Sequence, residues 1–330
     1  MGLVSPRTRI VAIITAAAAV AVLATVALAV VTGGKKEGQK EGQPLAGAPP
    51  LALELGVRTD LEARSLRRAQ GLYNKGQRAA AGRIFVRDRS TEAQVGSAFA
   101  AWPDGSLARI QRLAREHPTS LVLLHLGYAE LWSGNREDAN AAWTKASRAQ
   151  PDSSSAQRAD DALHPDFPAG QPFFVPSFNP PNELTGLSAP RQLAALSKAA
   201  QQPDVHAKLL YGIAQQRLGH RLSARRQYDA AARLAPNDPE AQVAAAVGRF
   251  DKGRPSAAFS RLGPLTQRFP QAATVRFHLG VLLLWLARAQ PGSVKEGKRQ
   301  LRLARTEEPG SPLAREATRL LNGLEDIETG

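Results

Sequence analysis

The chain has 330 residues and a mass of 35.3 kDa; it is 43% hydrophobic but only 5% aromatic, and it carries 43 Lys and Arg against 29 Asp and Glu and no cysteine. The missing thiols exclude disulfides, thiolate metal sites, a cysteine nucleophile and thiol-linked lipid. The apolar fraction excludes disorder throughout, and so few aromatics call for a core of Ala and Leu, which suits helices better than sheets.

Residues 1–9 form a short N-terminus with Arg7 and Arg9. From Ile10 to Val31 only Thr15 and Thr25 are polar in twenty-two residues. As a helix this stretch is about 33 Å long, enough to cross a hydrocarbon core of about 30 Å. The expectation is a transmembrane signal anchor over 10–31, with residues 1–9 cytoplasmic and the rest of the chain extracytoplasmic. Lys35, Lys36 and Lys40 beyond the far end weaken the charge bias that sets this orientation. Ala27-Leu28-Ala29 offers the alternative of a cleaved signal peptide and a secreted product, which leaves the compartment the same. Residues 32–50, rich in Gly, Lys, Glu, Gln and Pro, read as a flexible linker.

A repeat runs through the remainder. Gly127, Gly134, Ala139, Trp143, Ala146 and Pro151 recur at identical spacing as Gly212, Gly219, Ala224, Tyr228, Ala231 and Pro236. A third copy starts at Pro239, with Ala246, Gly253, Ala258, Leu262 and Pro270 in register. A fourth from Ala273 has Gly280, Gly297, Leu301, Ala304 and Pro309 once a longer turn is allowed around Ala289 to Val294. Small residues at the first glycine and the alanines permit close helix approach, the second glycine ends the first helix, and the proline stops the second.

This pattern resembles the tetratricopeptide repeat family, whose period is about 34 residues with two antiparallel helices per repeat. The resemblance is good over residues 120–153 and 205–311 and weaker from Asp60 to Pro118, where Gly76, Ala81 and Phe85 suggest a degenerate copy. The expected fold is all-α: a tetratricopeptide-type helical-hairpin solenoid preceded by the single N-terminal membrane helix. Its parts are degenerate helical repeats over 51–118, a repeat and a following helix over 119–163, and a Pro/Phe-rich insert over 164–187. A helix with three repeats follows over 188–311, then a capping helix and tail over 312–330, where Leu313, Ala317, Leu320, Leu321 and Leu324 form one apolar stripe.

The resemblance implies that the first helix of each pair lines a concave groove where ligands dock. The implied groove positions are Leu121, Leu124, Tyr128 and Leu131 in one repeat and His206, Leu209, Ile213 and Gln216 in the next. Then come Glu240, Val243, Val247 and Phe250, followed by Thr274, Phe277, Val281 and Leu284. Relatives that grip acidic peptide C-termini carry Lys, Arg and Asn at such sites, so the mostly apolar set here points instead to protein or peptide partners bound as an amphipathic helix or extended apolar segment. The other reading of the same residues is packing against a neighbouring helix or an internal segment.

The insert supplies a candidate for that internal segment. Between His164 and Pro181 six prolines forbid a helix, and Phe167, Phe173, Phe174 and Phe178 are four of the chain's ten Phe. A solvated loop has no use for them, so the segment is expected to dock, either in the groove or on the nearest helix.

The excess charge gathers towards the C-terminus, with twenty basic residues against eleven acidic from Val205 onward. Lys295, Lys298, Arg299, Arg302 and Arg305 read as one solvent stripe that could meet anionic lipid headgroups, and Arg217, Arg221, Arg225 and Arg226 cluster across a turn. No sequence-reading helix pair or aromatic-interleaved basic surface is present, which argues against nucleic acid. The six histidines include no HExxH pair, and there is no GxSxG elbow or phosphate-binding GxxxxGK. Asp160, Asp161, His164 and Asp166 are the one local group with metal-ligand chemistry, and it reads more simply as a solvated helix end. The expectation is therefore a non-enzyme without cofactor or metal: a membrane-anchored scaffold in envelope assembly, secretion or protein folding. The alternatives are a regulatory subunit of an envelope enzyme or a glycan-binding module using Glu130 and Glu240.

Overall fold

The computed structural model describes residues 43–329, so the expected membrane span over 10–31 and most of the expected linker lie outside the described residues. The described residues hold fifteen α-helices and one short 3-10 turn and no strand. Among them no helix is long and apolar enough to cross a membrane. They divide between Leu163 and His164 into two compact units.

The amino-terminal unit opens with an extended strap, residues 45–56, and continues with three helix pairs: α1 (Leu61–Asn74) with α2 (Arg78–Phe85), α3 (Thr91–Ala100) with α4 (Ser106–Glu116), and α5 (Ser120–Trp132) with α6 (Arg136–Ala149). A closing helix α7 (Ser154–Leu163) packs on the last pair. The carboxy-terminal unit follows the same plan. A strap within residues 164–181 leads through a 3-10 turn (Asn182–Leu184) and an extra helix α8 (Ala189–Ala199) to three pairs. These are α9 (Val205–Arg217) with α10 (Arg221–Leu234), α11 (Pro239–Val247) with α12 (Ser256–Arg268), and α13 (Ala273–Trp285) with α14 (Ser293–Glu307); α15 (Pro312–Thr329) closes the stack.

Local chemistry sets these boundaries. Thr119 and Asp204 cap α5 and α9 by accepting from the amides of Val122 (3.3 Å) and Ala207 (3.0 Å). Gly134 and Gly219, with φ of 92° and 85°, take the left-handed conformation that turns each first helix into its second. Within a pair the helices meet across a glycine. A side chain at Gly127 would overlap the Trp143 ring and one at Gly212 the Tyr228 ring, while Gly280 and Gly297 bring the backbones of α13 and α14 together. The buried stripe of α15, Leu313, Ala317, Leu320, Leu321 and Leu324, covers the last pair.

Two boundaries differ from expectation. The linker was expected to run to Pro50, but the chain is already packed from Leu45, whose amide donates to the Trp132 carbonyl (3.0 Å), and Pro49 is buried. Residues 51–60, placed with the degenerate repeats, are extended strap and turn, with Leu51, Leu53 and Leu55 buried on alternate positions. A period of two over so few residues was hidden beside the stronger helical pattern that follows.

Gly212→Ala should therefore lower the melting temperature through an overpacking cost of ~1–3 kcal/mol. Gly71→Ala, on α1 where an added methyl meets nothing within 4 Å, should instead raise stability by ~0.5–1 kcal/mol. Thermal melts of the two variants check both signs.

Candidate peptide-binding faces

In each unit the strap lies across the first helices of the pairs and runs antiparallel to them. In the carboxy-terminal unit the path begins near the C-terminal ends of those helices. Arg288, just past α13, donates to the Pro165 carbonyl (2.9 Å), and buried Lys252, past α11, donates to that of Pro168 (2.6 Å). On α9, Gln216 donates through Nε2 to the Pro172 carbonyl (2.8 Å) and accepts from the Tyr228 hydroxyl (3.0 Å). The Val175 amide donates to His278 Nε2 on α13 (2.9 Å), and the Ser177 amide to Glu240 Oε1 at the start of α11 (3.0 Å). Phe174 is fully buried, stacked on His278 (5.1 Å between ring centroids) and edge-on to Tyr228. Phe167 meets Phe250, Phe173 lies under the Arg217 guanidinium, and Phe178 sits 4.3 Å from the His206 ring. All four Phe of the insert thus dock, each on a different partner.

The amino-terminal unit repeats the arrangement. The Ala52 amide donates to His125 Nε2 on α5 (3.1 Å), the Tyr73 hydroxyl donates to the Pro49 carbonyl (2.6 Å), and the Leu53 amide donates to Gln70 Oε1 (3.3 Å). Glu54 accepts from the Ser154 amide and the Ser155 hydroxyl at the start of α7 (2.8 and 2.9 Å).

His125 and His278 hold equivalent places, the sixth residue of α5 and of α13, each followed by Leu-Gly. Their tautomer follows from their partners. Nδ1 lies 2.7 Å from the carbonyl four residues back, Leu121 or Thr274, and a carbonyl only accepts, so Nδ1 carries the proton. Nε2 is then the acceptor that the strap amide requires. Burial pushes both imidazoles down to about 4 and keeps them neutral. Burial pushes the Glu240 carboxyl the other way, to about 7, against the pull of the Ser177 amide, and leaves its Oε2 without a partner. Burial also raises Tyr73 to about 12, so its hydroxyl stays a donor, and lowers Arg217 to about 10.

The implied groove residues are not an open surface. Leu121, Leu124, Leu209, Ile213, Val243, Val247, Phe250, Phe277, Val281 and Leu284 are all buried; Tyr128 and Leu131 keep partial exposure, and His206 is exposed. The reason is physical: successive first helices contact one another, and Phe174 shares one continuous core with Leu209, Val243 and Val281. Of this set, Gln216 and Glu240 meet the strap through hydrogen bonds, His206 through its ring and Phe250 through Phe167, while Thr274 turns to His278. Lys295, Arg299, Arg302 and Arg305 are exposed on α14, with Arg299 paired to Glu296 (2.8 Å). Lys298 does not belong to that stripe; it is buried, next in sequence to Gly297, where α13 and α14 approach closely. Glu130 is engaged by Gln111 and Asn135 (2.9 and 2.8 Å). Among the described residues no group of His, Asp and Glu is arranged to hold a metal ion.

No protein-family model matches the sequence, and no curated protein does. The structure is similar to a tetratricopeptide repeat protein from Parabacteroides merdae, at 12% identity over 80% of this chain and 98% of that one, with a TM-score of 0.34. It is also similar to the C-terminal part of a repeat-containing protein of the same kind from Cytophaga hutchinsonii, at 13% identity, 78% and 99% coverage and a TM-score of 0.29. Yeast Tom70 matches at 11% identity over 92% of this chain and 69% of that one, with a TM-score of 0.31. These scores are low, and the tetratricopeptide-like fold rests on the paired helices and their spacing.

Sequence reasoning did not single out His125, His278 or the first strap. The shared His-Leu-Gly at one repeat position was the available signal.

The titrations set a pH dependence. An unfolded histidine titrates near 6.5 and these two near 4, so over that window the unfolded chain holds the extra proton and each histidine lowers stability by ~1.4 kcal/mol per pH unit of acidification. Glu240 acts oppositely: its stabilising proton, bound in the folded state at pH values where the unfolded carboxyl near 4.5 has lost it, is given up as pH rises through about 7. Between pH 4.5 and 6.5 the carboxy-terminal unit, with one of each, should be nearly flat, and the amino-terminal unit should weaken with acid. Glu240→Gln should make both units acid-sensitive, as read by hydrogen exchange resolved to each unit.

Proposed function

We propose that the chain is a membrane-tethered, extracytoplasmic helical-repeat scaffold that binds protein partners as extended peptides on the first-helix faces of its two units. The carrying observation is that both faces already hold an extended, proline-bearing segment through side-chain bonds to its backbone. Contacts of that kind ask little of the bound sequence, so the same face suits more than one segment. A stack of helix pairs offers such a surface preformed, with little ordering cost. The tether rests on the apolar run Ile10 to Val31 with Arg7 and Arg9 before it.

The cysteine-free sequence makes the topology simple to test. In intact cells a membrane-impermeant thiol reagent should label Val86→Cys, at an exposed site, and should reach Ser5→Cys only after lysis. The reverse pattern, or release of the chain by an alkaline wash of the membranes, overturns the tether. A photoreactive residue at Asn179, exposed beside the strap, should give discrete protein adducts, and one at Arg302 on the second-helix face should not. Absence of adducts at Asn179 overturns partner binding at this face.

A further inference from the structure

The two straps share a register that their sequences do not announce. Aligned on the amide held by histidine, Ala52 matches Val175, and three residues earlier Pro49 matches Pro172. Both prolines are buried, and both of their carbonyls accept from a first-pair side chain, Tyr73 Oη or Gln216 Nε2. The residue before the held amide is a buried apolar side chain in each case, Leu51 or Phe174, and the residue after it is buried too, Leu53 or Pro176. The intervening positions, Pro50 and Phe173 on one side and Glu54 and Ser177 on the other, keep some exposure. The chain direction relative to the first helices is also the same.

We propose that each face is a site for one register of extended peptide, Pro-x-apolar-x-(apolar or Pro), and that the carboxy-terminal face accepts such a segment of a partner polypeptide in place of residues 172–178. This rests on the scaffold reading above and names its ligand. The histidine sets the register. With Nδ1 committed to its own helix, Nε2 can only accept, so the peptide must present an N–H at that position and proline is excluded there. Proline is tolerated one residue later, as Pro176 demonstrates, and its stiff extended backbone lowers the ordering cost of binding. The next residue separates the two faces. Glu54 finds donors at the start of α7, whereas the carboxy-terminal face presents the Glu240 carboxyl at the matching Ser177 amide, so an acidic residue there is disfavoured. The strap is a competitor in cis: if it is docked a hundred times more often than free, the apparent affinity for a peptide in trans falls by about the same factor.

The test uses the full chain and a fluorescent synthetic peptide of residues 170–179. Val175→Pro in the chain removes the amide that His278 holds and weakens the cis competitor, so this variant should bind the peptide at least about tenfold more tightly than the native chain does. The peptide carrying Val175→Pro should bind at least about tenfold more weakly than the native peptide, and the peptide carrying Ser177→Glu should also lose affinity. Equal binding of native and Val175→Pro peptides by a chain of unchanged helicity overturns the proposal. Should the variant chain not fold, hydrogen exchange on the native chain decides: slow exchange at Ala52 and Val175 supports the register, and exchange at either as fast as in an open loop overturns it. Partner adducts at Asn179 without peptide selectivity reject the register and leave the scaffold; selective peptide binding without adducts does the converse.

Discussion

A buried stretch of extended backbone must find a partner for its polar groups, and an all-helical protein has no neighbouring strand to supply one. Both straps meet this constraint in the same way, with side chains on the first helices standing in for the missing ladder. Tyr73, Gln70 and His125 do so in one unit and Gln216, Glu240 and His278 in the other, joined there by Lys252 from the turn after α11. The helices satisfy their own backbones and can give up these side chains without loss. That division of labour explains why a core made mostly of Ala, Leu and Val contains so many buried polar groups at one face.

The histidines carry the most exacting part of it. A glutamine offers both a donor and an acceptor and could serve a strap in either sense, but an imidazole pinned at Nδ1 offers one acceptor in one place. Its neutrality depends on burial, and burial depends on the strap residue beside it, Phe174 stacked on His278. Docking and protonation state are therefore linked in each unit, and in the carboxy-terminal unit Glu240 opposes the linkage over nearly the same pH range.

The glycine seams supply the rigidity behind these faces. Trp143 and Tyr228 fill the space left by Gly127 and Gly212 and also bond towards the first helices, Trp143 to the Leu124 carbonyl and Tyr228 to Gln216. One ring thus locks a helix pair and steadies a residue that holds the strap. Tyr228 also packs edge-on against Phe174 of the strap, while the outer surface of α14, with Lys295, Arg299, Arg302 and Arg305, is exposed to solvent.

The helix pairs were legible in the sequence because their determinants are local: a capping Thr or Asp, a turn glycine, an alanine seam at helical spacing and a closing proline. The docking of the insert was legible for a similar reason, since Phe beside Pro has no place in solvent. The straps' register was not, because it depends on which side chains three separate helices bring to one line. Leu209, Val243 and Phe277 look alike as groove lining or as core, and only the packing of successive first helices with Phe174 decided that they are core. Lys298 likewise reads as surface, and only the tertiary structure shows it buried. The sequence by itself determined the repeats and their caps. Tertiary structure decided what fills the faces, because a buried amide takes its partner from whatever the fold places within hydrogen-bond reach.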